Sequence, residues 1–187
     1  MFRSALGQYL ARPNSFCNTV MADERFVVIK DLYPKAKLHW LILPRSHTKD
    51  HPFMAFEDLD FLQQVREYAD YVKKEALKHL QQSLPFALDD NWIKVGVHAV
   101  PTMDNLHIHV ISKDMVSDSM KNNKHYNSFN TPFFVELDRF PIHENDAEAY
   151  NSYIKGDIKC WACGHSFGRQ FKRLKEHLND ELGKIDR

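Results

Sequence analysis

The chain has 187 residues, long enough for one full hydrophobic core and a small appendage. Its 25 basic and 25 acidic side chains cancel to a formal net charge of zero, so no global field draws in nucleic acid and any such binding must use a local basic surface. Three cysteines, two of them in Cys160-x-x-Cys163, make no disulfide framework and point to a reducing compartment; no secretory signal is expected, and no run approaches the ~18 apolar residues of a membrane span.

In chain order, residues 2–10 fit a short helix ended by Arg12-Pro13, with Phe2, Leu6 and Tyr9 or Leu10 on one face. Three β-rich segments follow at 18–22, 25–30 and 37–43, the last two joined by the loop from Asp31 to Lys35. Residues 56–82 carry Leu59, Leu62, Val65, Ala69, Val72, Ala76 and Leu80 at helical spacing. Glu57, Asp58 and Asp60 suit the start of that helix, and Lys73, Lys74 and Lys78 its end. A strand at 92–97, a turn at 100–104 and a strand at 105–112 then form a hairpin that should bring His98 and Thr102 near His107 and His109. Residues 115–130 are polar and read as a loop, 131–137 as a short strand or helix, and 142–155 as an acid-rich linker leading into a short helix. An antiparallel sheet backed by a long helix is an α+β arrangement.

The strand at 105–112 alternates with period two. Asn105, His107 and His109 share one face, and Leu106, Ile108 and Val110 the other. Imidazole is a nucleophile at neutral pH and also donates hydrogen bonds, so the pair suits a phosphorus centre; a strand with solvated histidines is the alternative. His39, beside Trp40, reads equally as a packed core histidine.

Near the C-terminus, Cys160 and Cys163 have the spacing of a zinc knuckle, and His177 and Glu181 fall one turn apart on a helix over 170–182. The four can close a tetrahedron around a structural zinc, with carboxylate oxygen in place of the usual second histidine. His165 competes as a ligand but follows Cys163 closely. Arg169, Lys172, Arg173 and Lys175 make a basic face suited to phosphate backbone. No catalytic metal is expected, because the finger is the one plausible metal cluster.

His107-Ile108-His109-Val110-Ile111 resembles the His-φ-His-φ-His-φ-φ signature of the histidine triad superfamily (φ apolar), with Asn105 where the first histidine would stand. The flanks Gly96-Val97-His98-Ala99-Val100-Pro101, Ser112-Lys113-Asp114 and Lys124 to Thr131, together with the Cys-x-x-Cys finger, resemble the aprataxin family over nearly the whole chain. The resemblance implies a histidine triad fold over 1–137 and a zinc-finger DNA-binding module over 138–187. It implies removal of AMP from 5′-adenylated DNA ends, with GMP left open, through a nucleotidyl-histidine on His107. His109, His98 and His39 would act beside it. Asp31 would take the ribose hydroxyls, with Lys35, Ile29, Lys30, Thr102 and Ser112 also at the nucleotide. Phe2 would stack on the exposed base pair, and Lys121, Lys124, His125, Arg169, Lys172 and Arg173 would hold nicked or double-stranded DNA. A monomer in the nucleus, with the cytoplasm left open and no membrane partner, completes the expectation. A generic nucleotide phosphoramidase or dinucleotide hydrolase of the same superfamily, and a non-catalytic DNA-end binder, are the rivals. Because Asn carries no proton at neutral pH, Asn105 is expected to impair turnover, and Asn105→His to raise it at least about tenfold.

Overall fold

Val27, Val28 and Ile29 are consecutive on one short strand and all are buried, so both faces of the sheet they belong to must be covered. In the computed structural model, which describes residues 3–84, 87–143 and 146–185, that sheet has six strands. They are β1 (Thr19–Ala22), β2 (Phe26–Lys30), β3 (His39–Pro44), β4 (Ile93–His98), β5 (Ile108–Ser112) and β6 (Phe134–Glu136). The order is β1-β2-β3-β5-β4-β6, antiparallel at every pairing.

The first face lies against the helix α3 (Leu59–Gln81), which follows the short helices α1 (Gly7–Ala11) and α2 (Pro52–Ala55). Asp58 starts α3 by accepting the Phe61 N–H at 3.0 Å, so the helix begins three residues later than the spacing predicts. Leu59, expected in the apolar stripe, is 62% exposed; the stripe begins at Phe61 and Leu62 and continues through Val65, Ala69, Val72, Ala76 and Leu80. It packs on Val28, Trp40, Ile42, Val97, Ile108 and Val110. Each large aliphatic or aromatic side chain of the stripe contributes about 1.5–3 kcal/mol by leaving water, and each alanine less.

The second face carries two apolar clusters with a gap between them. At one end Val27, Ile29, Leu41 and Leu43 meet Leu6 and Tyr9 of the N-terminal segment. At the other, Ile111 and Phe134 meet Tyr126 and Phe129 of α4 (Asn123–Asn130) and Ile158, Cys160, Leu174 and Leu178 of the C-terminal segment. That segment holds α5 (Ala147–Tyr153), the two-stranded β7 (Ile158–Lys159) and β8 (Ser166–Gly168), and α6 (Phe171–Ile185). The gap is filled by histidines.

Besides α3, the helix expected over 2–10 is α1 over Gly7–Ala11, α2 was not expected, and β5 and α4 also differ from the sequence reading. β5 starts at Ile108, because the Leu106 N–H leaves the ladder for the Thr48 carbonyl (2.9 Å) and the Asp104 N–H for the Arg3 carbonyl (2.9 Å). The polar stretch read as a loop contains α4, started by Asn122, whose side chain accepts the His125 N–H at 2.9 Å.

One glycine is fixed by close approach. A Cβ at Gly96 would sit 2.3 Å from the Val135 carbonyl oxygen and 2.8 Å from the Phe134 ring, both on the neighbouring strand β6. Gly96→Ala must therefore push β6 away from β4, at a cost of about 1–3 kcal/mol. Urea denaturation of the variant should show that loss; a stability within about 0.5 kcal/mol of the parent would contradict it.

Candidate active site and zinc finger

The strand register explains why the histidines meet. Leu41 of β3 pairs with His109 of β5, and His109 pairs with Gly96 of β4. His39, two residues before Leu41, and His98, two after Gly96, therefore point to the same face as His109. The rings of His98 and His109 are centred 4.4 Å apart, those of His107 and His109 4.9 Å, and those of His39 and His109 5.2 Å. His39, His107 and His109 are all buried, although the alternating pattern suggested a half-exposed strand. Phe129 covers His39 and His109, meeting them edge-on at 86° and 89°.

Hydrogen bonds fix the proton positions. The Lys35 main-chain N–H donates to His39 Nδ1 at 3.2 Å, so His39 carries its proton on Nε2. That Nε2 lies 2.9 Å from His109 Nδ1, which must accept, leaving the His109 proton on Nε2. His109 Nε2 is buried and has no partner within the protein, and neither has His98 Nε2. An acceptor from outside the chain would satisfy the His109 Nε2–H. His107 is held differently. Its Nδ1 lies 2.8 Å from the Asn105 main-chain carbonyl, which can only accept, so Nε2 keeps its lone pair.

Burial is the main force on all four rings and disfavours the charged form. It lowers His39 to about 4, and lowers His98, His107 and His109 too. The neighbouring imidazoles add to the effect on His98 and His109. Burial also lowers Lys35, against the pull of Asp31. Neutral rings at pH 7 are what a nitrogen nucleophile and uncharged donors require.

Beside the rings is a cavity of about 480 Å³ lined by Ile29, Leu32, Leu41, Thr102 and Met103, with Asp31 at its polar side. The lining is mostly apolar, and Asp31 is its one carboxylate. Asp31 Oδ2 is 3.6 Å from His39 Nδ1, and its Oδ1 accepts the Tyr33 N–H at 2.7 Å. A second cavity, about 440 Å³, is lined by Lys49, His51, His98, Asn105 and His107.

Two expected nucleotide contacts lie elsewhere. Lys30 is exposed and, by strand alternation, opposite in direction to Ile29. Ser112 is three residues from His109 and so faces the other side of β5, where its hydroxyl accepts the Leu38 N–H at 3.1 Å and donates to Asp114. Asn105 turns its side-chain amide to the Thr48 carbonyl at 3.3 Å. Sequence reasoning missed Phe129 and the residues from Lys49 to His51. Phe129 sits three residues after Tyr126 on an unrecognised helix; nothing local marked the 49–51 loop.

Of the expected DNA contacts, Lys121 and Lys172 line one shallow groove with Phe171 and Lys175. Lys124 and His125 lie in the first turn of α4, and Arg169 and Arg173 are exposed at the start of α6. Phe2 is outside the described residues. The metal-ligand atoms of Cys160, Cys163 and His177 all lie within 4.8 Å of one another. Cys163 Sγ is 3.3 Å from His177 Nε2, and Glu181 Oε1 is 3.8 Å from the same nitrogen. Two thiols, an imidazole and a carboxylate fit a tetrahedral zinc, whose role there is structural.

Comparison with known proteins gives two family matches. Residues 6–125 match the family described as scavenger mRNA decapping enzyme C-term binding, and residues 130–184 the C2HE / C2H2 / C2HC zinc-binding finger. The chain is 37% identical to an aprataxin-like protein of Schizosaccharomyces pombe, covering 96% of this chain and 81% of that one. It is 34% identical to an aprataxin-like protein of Saccharomyces cerevisiae, covering 97% and 96%. A crystal structure of the aprataxin ortholog Hnt3 in complex with DNA superposes with a TM-score of 0.91 at 34% identity, over 99% of this chain and 96% of that one.

The buried rings make stability depend on pH. Each takes up its proton at 6.5 when unfolded but only at lower pH when folded. Between those values the unfolded state binds more protons, so unfolding free energy should fall as pH drops from about 6.5 toward 4. Urea titrations at stepped pH would detect the decline; a flat profile over that interval would contradict it.

Proposed function

This chain belongs to the aprataxin family of the histidine triad superfamily, and from that membership we propose that it is a DNA-repair hydrolase that removes AMP from 5′-adenylated DNA ends. The observation that carries the reading is the pairing of His107, its Nε2 lone pair held open, with His109, its Nε2–H unsatisfied, beside an apolar cavity carrying a carboxylate. Relatives solved with DNA, and with DNA and guanosine, support a purine nucleotide at a DNA end.

In this mechanism the Nε2 lone pair of His107 attacks the adenylate phosphorus. The bond from phosphorus to the bridging oxygen breaks, and its electron pair leaves with the DNA 5′-phosphate. His109 Nε2–H donates to a non-bridging oxygen as negative charge builds there, a preorganised donor in a dry site. His39 has both ring nitrogens engaged within the protein and so offers no free donor to the leaving oxygen. Water then cleaves the P–N bond, releasing AMP and restoring His107. Two easier displacements replace one hard one. Asp31 accepts the ribose hydroxyls, and the groove of Lys121 and Lys172 holds DNA phosphates. The zinc finger grips DNA and supplies no reacting group to the displacement.

Asn105 enters this reading differently from the expectation drawn from sequence. The bond that sets the His107 tautomer is made by the main-chain carbonyl of residue 105, which any side chain leaves in place. Asn105→His is therefore expected to change turnover by less than about threefold. A gain of tenfold or more would give the side chain the triad role instead.

The test of the reaction is product analysis. Wild-type protein mixed with 5′-adenylated DNA should release AMP and leave a 5′-phosphate, with a preference for that substrate over a small AMP-amidate. His107→Ala should abolish release by at least about 10³-fold while DNA affinity stays within about threefold. A clear preference for the amidate, or an active His107→Ala, would defeat the proposal.

A further inference from the structure

Four consecutive residues of α4 contact both the finger segment and the histidine cluster. Tyr126, fully buried, donates its hydroxyl to the Lys159 carbonyl at 2.9 Å and accepts the Trp161 N–H at 3.0 Å. Those two main-chain groups flank Cys160, the first metal ligand. Asn127, also buried, donates to the Gly156 carbonyl at 2.9 Å and to the Tyr153 carbonyl at 3.4 Å. The next two residues reach the histidines. Ser128 makes a main-chain hydrogen bond with His98. Phe129 packs its ring 4.7 Å from His98, 5.2 Å from His109 and 5.4 Å from His39.

We infer that α4 is a splint between the zinc knuckle and the catalytic histidines, with Tyr126 and Asn127 as positioning residues for His98 and His109. The inference rests on the deadenylase reading for its kinetic consequence, though not for its structural one. An eight-residue helix is too short to hold its own orientation in water. What fixes it is the pair of polar anchors on the finger side, since a buried hydroxyl or amide leaves a large penalty when its partner moves. The ring contacts on the other side then inherit that orientation. The finger thus contributes to catalysis even where no DNA is bound.

The test uses the full chain and a substrate too small to touch the finger, an adenosine 5′-phosphoramidate. Tyr126→Phe keeps the ring and removes both bonds around Cys160. It should lower kcat on the amidate about tenfold with KM within about twofold, since small misplacements of reacting groups are costly. DNA affinity and zinc content should stay unchanged. The ring ¹⁵N signals of His98 and His109 should move, while those of His47 and His143 stay in place. Asn127→Ser gives up the second anchor and is the variant to use where Tyr126→Phe does not fold. Unmoved His98 and His109 signals in a folded variant, or wild-type kcat on the amidate, would overturn the inference. The ring signals decide it even for a protein inert toward both substrates, which is the outcome that would sink the deadenylase reading instead.

Discussion

The main-chain amide of Lys35 donates to Nδ1 of His39, and the polarity of two imidazoles follows from that bond. An amide cannot accept, so His39 must pass its proton to the other nitrogen, and His109 must do the same. The Asn105 carbonyl imposes the opposite arrangement on His107. Adjacent rings on one strand are therefore unlike: one offers an electron pair and the other a proton. Side chains alone could not hold that difference, because an imidazole can change tautomer. Main-chain groups of fixed polarity do.

Keeping four imidazoles in a buried cluster carries a cost in stability, and the fold meets it with apolar packing on both sides. The cluster of Leu6, Tyr9 and Leu41 closes one end, and that of Phe129, Phe134 and the finger closes the other. The same burial keeps the rings neutral. Packing and chemistry are linked here: the residues that exclude water also set the protonation state.

The sheet and its helix were legible from period-two and period-3.6 spacing, and the site from His107 and His109. Asp31, which the resemblance implied, and Thr102, which the hairpin placed, both line the cavity. The misassigned residues share a cause. Lys30 follows Ile29 and Ser112 lies three residues past His109, and strand alternation turns both side chains away from the face that carries the histidines. Leu59 fits the apolar stripe by count alone, yet the Asp58 cap makes it a first-turn residue, exposed to solvent. α4 was hidden because its polar residues bond inward to finger carbonyls, so hydropathy read a buried helix as a solvated loop. The role of the residue-105 carbonyl could not be read from any side chain.

The central claim is the pair of opposed tautomers, and long-range ¹H–¹⁵N correlation of the histidine rings at pH 7 tests it most directly. The account predicts His107 protonated at Nδ1 with Nε2 bare, and His109 protonated at Nε2 with Nδ1 bare. Identical tautomers on the two rings, or a doubly protonated His107, would contradict it.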